Sequence, residues 1–499
     1  MLGRLLSRAL RRMRPGWRAH FAEERLAQAR ALAQAGELQA AAGELELALD
    51  AQPANALAWQ RLGDVRFELA LIDEAIAAYR EALAREPRLL RAHSSLLFAL
   101  AHREDDARAL LEEHRRWGTH ATARSAAPAR AFSNSREAGR RLRVAYVSAD
   151  FRGHAISMFI EPILARHDPA QIEVYCYDNA PSDDRVAARL RGYAATWRDI
   201  QRLDTAALAA QANADRIDVL VDLCGHTAGN RLTDLAQRLA PVQATYLGYH
   251  GSTGLAAMDY RITDAFADPP GRTESDYVER LARMPHCLWC YRSPAHAKVP
   301  EPPHLPRPAI SFGSLNNLRK ITPRMLGLWA EILGRVPQAR LLMAGAGDGP
   351  AVRSILAQLA QHGIESGRVE RSGWLQPAQF AALHARIDIA LDTYPFNGGA
   401  TTIGALELGV PVVSLAGGSP ASRCGRTILT NAGLPELATG RDEDFVAAAC
   451  ALARDRGRLS ALKARLPAML RRSPIMDERR FVTDLEALYR EMWMGFAAA

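Results

Sequence analysis

Short apolar runs alternate with stretches of helical periodicity over the larger, second part of the chain. The runs LRVAYVS, IEVYCY, IDVLVDL, VQATYLG and YRITD lie in residues 142–264, and ISFGSL, ARLLMAG, IDIALD and PVVSL lie in residues 310–415. Apolar strands that alternate with helices predict a parallel sheet covered on both faces. A proline-rich joint near residues 298–308 separates the two sets, so we predict an α/β architecture of two doubly wound, Rossmann-like halves. Ligands of such sheets bind beyond the carboxyl ends of the strands, which predicts a site in the cleft between the halves.

An all-α region is predicted before these halves. The stretch NALAWQRLGDVRFELALIDEAIAAYREALAREP has the spacing of a tetratricopeptide repeat, in which two helices present matching apolar faces and a proline ends the unit. The matching positions are Trp59, Leu62, Gly63, Ala75, Tyr79, Ala82 and Pro87. A shift by the period of roughly 34 residues gives a second unit and a weaker third one. Their positions are Ala41, Leu45, Ala48 and Pro53, and then Leu96 and Ala109. An unrelated helical hairpin is the alternative.

These patterns divide the chain into five predicted segments. They are a basic N-terminal segment (1–21), tetratricopeptide repeats (22–118), a polar linker (119–140), a first α/β half (141–300) and a second α/β half (301–499).

The net charge of +8 changes this picture little. The bias is spread along the chain, with no Lys/Arg-rich block interleaved with aromatics, so nucleic-acid binding is not expected. The exception, MLGRLLSRALRRMRPGW, is a short basic amphipathic segment that could contact a membrane surface or a partner, although a frayed or capping helix is favoured. It is a poor signal peptide, and no run of about 18 apolar residues predicts a transmembrane span.

Six cysteines are scattered along the chain, and only Cys287 and Cys290, in CLWC, are closely spaced. A zinc site would need a second such pair. We therefore predict buried free thiols and a reducing, cytoplasmic location.

The stretch DTYPFNGGATTIGALELGVPVVSL offers a candidate anion site. IDIALD predicts a strand, TYPFNGG the loop beyond its carboxyl end and ATTIGALELG the start of a helix. Gly398 and Gly399 permit backbone conformations that other residues resist. The N–H groups of Ala400, Thr401 and Thr402 would then lie at the positive end of a helix, where an anion binds. An ordinary turn capped by threonine is the alternative.

Two further loops carry single candidate groups. Lys320, in SLNNLRKITPRML after the first strand of the second half, can reach a diphosphate as a point charge. His154, in SADFRGHAISMF after the first strand of the first half, could act as a general base or bind an anion. A solvated lysine and a histidine bonded to backbone carbonyls are the alternatives.

The turns DLCGHTAGNR and LGYHGSTG follow other strands of the first half and carry small polar residues. Such residues suit a hydroxyl-rich ligand, and they also suit plain tight turns. They are His226, Thr227, His250, Ser252 and Thr253.

Together these motifs resemble the protein O-GlcNAc transferase family, including its bacterial and SPINDLY-like members. The resemblance covers nearly the whole chain and keeps the order of the repeats, LRVAYVSADFRGHAIS, VDLCGHTAGNRLTDLAQRLAPVQATYLGYHGSTG, MDYRITD, LNNLRKITPRML, DTYPFNGGATTIGALELGVPVV and SPASRCGRTIL. It implies a metal-independent glycosyltransferase of GT-B fold that needs no cofactor. The second half would bind most of a nucleotide-sugar, and the first half would lie on the acceptor side.

The resemblance also implies roles for individual residues. His154 would lie near the acceptor and the sugar, and Lys320 would contact the diphosphate, with Asn317 as a neighbouring polar contact. The helix N-terminus at Gly399, Ala400 and Thr401 would bind the same diphosphate. An aspartate that precedes a first-half strand in the family matches Asp215, and the SR pair after the last strand matches Ser422 and Arg423.

Some positions depart from the family pattern. Gly404 stands where the family often has an acidic residue for the ribose, and Glu407 could substitute because positions i and i+3 share a helix face. Gly399 replaces the histidine that opens the threonine pair of the animal enzymes, and apolar Phe380 and Leu383 replace two contacts on the nucleotide side. UDP-GlcNAc is the favoured donor, and GDP-fucose and UDP-glucose are the alternatives.

The expected reaction is an inverting transfer to Ser or Thr hydroxyls of a protein or peptide presented by the repeats. Lys320 and the helix N-terminus would neutralise the leaving diphosphate, and His154 or Asp215 would deprotonate or orient the acceptor. A catalytically weak repeat scaffold that only binds nucleotide is the alternative from another class. A dinucleotide-dependent oxidoreductase is disfavoured, because neither half has G-x-G-x-x-G after its first strand.

Overall fold

The computed structural model describes residues 14–124, 132–293, 309–344, 348–373 and 377–498. The predicted hinge and most of the predicted basic N-terminal segment lie outside these residues. The described chain opens with helices that each pack against the next one in sequence. They are α1 (Pro15–Gln34), α2 (Leu38–Ala51), α3 (Ala56–Glu68), α4 (Ile72–Arg85), α5 (Leu90–Leu100) and α6 (Ala107–Arg124).

The positions predicted from the repeat pattern form the contacts between these helices. Leu62, Ala75, Tyr79 and Ala82 are buried, and so are Ala41, Leu45, Ala48 and Leu96. A Cβ atom added at Gly63 would lie 2.5 Å from Cε1 of Tyr79, so only glycine permits this close packing of α3 on α4. Ala109 is exposed, and the third unit therefore departs from the repeat pattern at that position.

The first half is built on a parallel sheet in the order β3-β2-β1-β4-β5-β6-β7. Its strands are β1 (Leu142–Ser148), β2 (Ile172–Asp178), β3 (Thr196–Asp199), β4 (Val219–Asp222), β5 (Val242–Thr245), β6 (Tyr260–Asp264) and β7 (Arg280–Met284). The helices between them are α7 (Ser157–Arg166), α8 (Arg185–Arg191), α9 (Thr205–Ala214) and α10 (Leu232–Leu235).

The second half has a parallel sheet in the order β10-β9-β8-β11-β12-β13. Its strands are β8 (Ser311–Ser314), β9 (Arg340–Met343), β10 (Val369–Arg371), β11 (Ile389–Leu391), β12 (Val412–Leu415) and β13 (Ala438–Thr439). Its helices are α11 (Pro323–Arg335), α12 (Pro350–Gln361), α13 (Pro377–His384), α14 (Ala400–Glu407), α15 (Cys424–Asn431), α16 (Asp442–Arg454) and α17 (Arg456–Arg471). A final helix, α18 (Glu478–Ala498), follows.

The predicted fold class is confirmed: two doubly wound α/β halves follow an all-α region. Every predicted apolar run contains a strand, and the strands that the pattern missed are β3, β7, β10 and β13. These four are the outermost strands of the two sheets. An outer strand pairs on one side only and is less completely covered, so its sequence lacks the continuous apolar run of a central strand.

Two predicted segment boundaries differ from the structure. Helix α6 continues through Arg124, so the predicted linker begins inside a helix rather than at residue 119. Helix α18 belongs in space to the first half, although its sequence follows the second half. Its Tyr489 hydroxyl lies 3.0 Å from the hydroxyl of Tyr146 on β1, and its Glu478 pairs with Arg292 at 2.7 Å. The C-terminal helix therefore ties the two halves together.

The helical region is packed directly onto the first half. Trp117 of α6 is fully buried in one cluster with Val147 of β1 and Leu220 of β4. Next to it, a Cβ atom added at Gly118 would lie 1.8 Å from the backbone oxygen of Gly254. Backbone therefore touches backbone at this junction. No helix in the described ranges is long and apolar enough to cross a membrane.

We expect Gly118→Ala to destabilise the protein by about 1–3 kcal/mol or more, because the new methyl group overlaps a backbone oxygen that cannot rotate away. Urea unfolding measures this loss. Gly43→Ala in α2 is the matched control, since a Cβ atom there meets nothing within 4 Å and alanine favours a helix. Equal stability of the two variants would contradict the close junction.

Candidate functional site

The two sheets turn the carboxyl ends of their strands toward each other. The side chain of Thr427 in the second half lies 3.2 Å from Asp264, the last residue of β6. The ring of Phe396, in the loop after β11, lies 5.6 Å from the ring of His250, in the loop after β5. The predicted cleft is therefore lined by the loops that carry the candidate residues.

The loop after β11 is held by a buried carboxylate at its start. Oδ1 of Asp392 accepts hydrogen bonds from the backbone N–H groups of Thr393 and Gly398, both at 2.8 Å. Its Oδ2 accepts a hydrogen bond of 2.6 Å from Ser414 on β12. One side chain thus closes the loop on itself and fixes it to the neighbouring strand.

Asn397 fixes the far end of the same loop. Its amide donates to the carbonyl oxygens of Thr393 at 2.7 Å and Leu415 at 3.1 Å, and its Oδ1 accepts from the N–H of Gly425 at 3.2 Å. The side chain is buried, so these polar contacts are shielded from water. The loop is a rigid part of the sheet edge.

Lys320 lies against this loop. Its ammonium donates a hydrogen bond of 2.8 Å to the carbonyl of Asn397 and lies 4.2 Å from the centre of the Phe396 ring. Burial lowers the pKa of Lys320 to about 8, although the nearby Asp392 carboxylate acts to raise it. The half-buried lysine is still protonated at neutral pH, with less access to water than a lysine on the open surface. A bound anion would relieve that cost.

The helix α14 begins immediately after the loop. Its N-cap is Gly399, and no side chain caps it, so the first N–H groups of Ala400, Thr401 and Thr402 are directed out of its positive end. A Cβ atom added at Gly398 would lie 2.6 Å from Oγ1 of Thr402, which requires glycine at that position. The structure thus brings Lys320 and the predicted helix N-terminus together around one loop.

His154 lies at the carboxyl edge of the first sheet, in the loop between β1 and α7. Its side chain is exposed, and its Nδ1 is 3.6 Å from Oδ2 of Asp150. Desolvation lowers the pKa of His154 and the charge of Arg152 lowers it further, while Asp150 acts to raise it. The imidazole is therefore neutral at neutral pH and able to accept a proton.

Trp289 connects these two parts of the site and was not identified from the sequence. Its ring lies 5.0 Å from Phe159 on α7 and 5.6 Å from His250. On the other side, its Cη2 atom is 3.5 Å from the Cβ position of Gly399. The indole N–H is buried without a hydrogen-bond partner. Trp289 lies within CLWC, where the close cysteine spacing is the more conspicuous signal.

Asp215 is not brought to the cleft. It caps the end of α9 and precedes β4, so it lies near the opposite edge of the sheet from His154. Its carboxylate pairs with Arg198 at 2.7 Å and accepts a hydrogen bond of 2.8 Å from the hydroxyl of Tyr177. The position and these partners indicate a structural ion pair, and they correct its predicted catalytic role.

Three of the predicted turn residues of the first half are buried and bonded to other parts of the protein. His226 is buried between the helical region and the first half, with Nδ1 3.1 Å from Oγ of Ser94 and Nε2 3.0 Å from the carbonyl of Thr253. Ser252 and Thr253 are buried and donate to the carboxylate of Glu279. Their predicted contact with sugar or acceptor is not supported by this placement. His250 does face the second half, and half-buried Thr227 donates to the carbonyl of Cys224 within its own turn.

Two residues predicted to bind the nucleotide are occupied elsewhere. The buried guanidinium of Arg423 donates to the carbonyls of Ala267 and Gly418 and pairs with Asp268 at 3.0 Å, so it joins the two halves. Glu407 accepts hydrogen bonds from the hydroxyls of Ser293 and Tyr291 at the far end of α14. These contacts hold both side chains within the protein, and their roles in nucleotide binding stay predictions.

The remaining predicted positions show only local contacts or burial, which assign no binding role to them. Asn317 is exposed and accepts a hydrogen bond of 3.1 Å from the N–H of Arg319, and Ser422 is buried. A Cβ atom at Gly404 would meet nothing within 4 Å. Leu383 is buried, and the side chain of Phe380 lies outside the described residues. Within the described ranges, no group of three or more His, Cys, Asp and Glu side chains could hold a metal ion.

Known proteins share this organisation. The profile of glycosyl transferase family 41 matches residues 75–294 and 301–485. A probable UDP-N-acetylglucosamine–peptide N-acetylglucosaminyltransferase SPINDLY from Petunia hybrida is 38% identical over 395 residues, which are 78% of this chain and 42% of that protein. A UDP-N-acetylglucosamine–peptide N-acetylglucosaminyltransferase from Caenorhabditis elegans is 25% identical over 476 residues, covering 72% of this chain and 41% of that protein. The chain thus spans less than half the length of these curated relatives.

A solved structure covers more of the chain. A mutant of the O-GlcNAc transferase from Thermobaculum terrenum superposes with a TM-score of 0.87 at 34% identity, over 96% of this chain and 91% of that one. These matches confirm the predicted family resemblance and the GT-B arrangement of the two halves.

We expect the amine of Lys320 to react with an acylating reagent with a midpoint near pH 8, because only the neutral amine reacts and burial lowers its pKa to about 8. Quantitative mass spectrometry of the Lys320 peptide measures the midpoint; the other lysines of the chain are Lys298 and Lys463. The urea-unfolded chain is the control and should show the ordinary value of 10.5.

Between pH 8 and pH 10.5 the unfolded state binds more protons at Lys320 than the folded state does. This group therefore makes the fold more stable as pH rises through that window. A folded midpoint of 10.5 would contradict the desolvated site.

Proposed function

This chain belongs to glycosyl transferase family 41, and we propose that it transfers N-acetylglucosamine from UDP-GlcNAc to Ser or Thr hydroxyls of proteins. The names of its relatives supply the donor and the class of acceptor. The observation that carries the proposal is the desolvated, charged Lys320 beside the uncapped start of α14. A lysine ammonium and a helix N-terminus that converge on one loop suit a diphosphate better than a single charge.

The residues of the cleft suit an inverting displacement. The acceptor oxygen forms a bond to the anomeric carbon while the bond from that carbon to the diphosphate oxygen breaks, and the acceptor proton passes to a base. Negative charge develops on the leaving diphosphate, where Lys320 and the N–H groups of Ala400–Thr402 would stabilise it. His154 is the candidate base because it is neutral at neutral pH and lies at the facing sheet edge. These parts can neutralise the leaving group without a metal ion or cofactor, and metal independence is part of the proposal.

The helical region would guide a polypeptide acceptor into this cleft. Its helices adjoin both halves, through Gly118 and Gly254 in the first and through contacts with the loops around Lys320 in the second. A protein acceptor accounts for an all-α region of about 110 residues joined to a compact transferase. The predicted cytoplasmic location fits the six buried free cysteines and belongs to this proposal.

A different donor is the second candidate, and one observation favours it. Gly404 carries no side chain, and Glu407, the predicted substitute for a ribose-binding acid, is bonded to Ser293 and Tyr291. The contacts that would distinguish one nucleoside from another are therefore weaker than those for the diphosphate. GDP-fucose and UDP-glucose are the donors to compare. A repeat scaffold that binds nucleotide without turnover is the competing proposal of another class.

We expect Lys320→Ala to lower the rate of UDP release from UDP-GlcNAc, with or without a peptide acceptor, by on the order of 100-fold or more. The loss follows because the leaving diphosphate would have no compensating cation in a poorly hydrated site. Arg335→Ala is the matched control, since Arg335 forms an exposed pair with Glu331 on α11 and should leave the rate unchanged. UDP release at the uncatalysed background rate by both wild type and Lys320→Ala would leave nucleotide binding without turnover and overturn the enzyme proposal.

A further inference from the structure

The turn between α5 and α6, residues 101–106, reaches out of the helical region and touches the second half. The carboxylate of Asp105 in this turn accepts backbone hydrogen bonds from Gly418 and Ser419, both at 2.9 Å. The same carboxylate accepts a hydrogen bond from the hydroxyl of Tyr394. One side chain of the helical region therefore joins the loop after β12 to the loop after β11, about 290–310 residues further along the chain.

The sequence of the second half is adapted to this contact. A Cβ atom added at Gly417 would lie 2.3 Å from the Tyr394 hydroxyl and 2.5 Å from Oδ2 of Asp105. One added at Gly418 would lie 2.8 Å from the backbone oxygen of Asp105. The Gly417–Gly418 pair thus leaves the space that the carboxylate and the tyrosine need.

Two neighbours of Asp105 contact the immediate surroundings of Lys320. The ring of His102 lies 4.6 Å from the ring of Phe396, over which the Lys320 ammonium is placed. Arg103 donates a hydrogen bond of 3.1 Å to the carbonyl of Arg319, the residue before Lys320. The turn thus contacts three separate segments around the lysine.

The charge of Asp105 suits these contacts. Burial raises the pKa of Asp105, but the hydrogen bonds from Tyr394, Gly418 and Ser419 outweigh it and leave the pKa below its ordinary value. The group is ionised at neutral pH, and charge-assisted hydrogen bonds of this kind are stronger than neutral ones.

We propose that Asp105 is a positioning residue for the donor site: it holds the Tyr394–Asn397 loop in the conformation that keeps Lys320 desolvated beside the start of α14. The helical region is then a structural part of the donor site as well as a surface for acceptors. This inference rests on the proposed function for its meaning, but the conformation of Lys320 can be measured without any nucleotide.

The test follows the acylation midpoint of Lys320 in folded Asp105→Ala and Asp105→Asn. Loss of the carboxylate should free the Tyr394 side chain and the Gly418–Ser419 backbone, let water reach Lys320 and move the midpoint from about 8 toward 10.5. Asp105→Asn keeps the volume and one acceptor oxygen, so it should fold under the same conditions and show a smaller shift. Gly418→Ala approaches the same contact from the opposite side and should also raise the midpoint.

The control is Glu81→Ala, which removes one negative charge from an exposed pair with Arg85 on α4 and should leave the midpoint near 8. In the same variants, calorimetric titration with UDP should give a Kd about tenfold higher for Asp105→Ala, comparable to the loss of one charge-assisted hydrogen bond. A purely structural role would lower the thermal unfolding temperature without moving the Lys320 midpoint of the folded protein.

A Lys320 midpoint that is unchanged in both Asp105 variants and in Gly418→Ala overturns the inference. Wild-type protein that binds no UDP would overturn the proposed function instead, while the labelling result would still decide the role of Asp105.

Discussion

A protonated lysine in a poorly hydrated cleft is the feature on which the other parts of the site depend. Among the described residues, no carboxylate oxygen lies within 4 Å of the Lys320 ammonium, and its direct contacts are the carbonyl of Asn397 and the ring of Phe396. Holding a charge in such surroundings costs free energy unless the partners are fixed in advance. The buried side chains of Asp392 and Asn397 provide that rigidity by tying the loop to β12 and to itself. The result is a positively charged site in which an anion would be the most favourable partner.

The same requirement explains why the three parts of the chain are packed so closely. The helical region meets the first half through the backbone contact of Gly118 and Gly254, and it meets the second half through Asp105. Arg423 joins the second half to Asp268 of the first, and α18 returns to pack on β1 through Tyr489. A cleft site between two halves has a defined geometry only when those halves are held together. Some of these contacts are formed by residues, such as Arg423, that the sequence motifs predict to bind a ligand.

Sequence motifs identify residue types and their spacing, but they do not show which contacts form between distant segments, and this limits what could be predicted. Central strands were predictable because burial on both faces demands apolar runs, whereas edge strands such as β3 (TWRD) and β10 (VER) carry no such run. Lys320 and the Gly398–Thr402 turn were predictable because both follow a strand and have a distinctive chemistry. Asp215 was misassigned because a motif cannot show whether a polar side chain faces a ligand or another part of the protein. Arg423 and His226 also form contacts within the protein that their motifs do not reveal. Trp289 and Asp105 were missed because their importance arises from contacts between segments far apart in sequence.

The most direct test of the central claim is a thermal-unfolding panel with UDP, UDP-GlcNAc, GDP and GDP-fucose on wild type and Lys320→Ala. A ligand that binds the native state raises the unfolding temperature by mass action. We expect UDP and UDP-GlcNAc to raise the unfolding temperature of wild type, and we expect this rise to be lost in Lys320→Ala. A rise with guanine nucleotides only would contradict the UDP assignment, and an undiminished rise in Lys320→Ala would contradict the role of the lysine as the diphosphate contact.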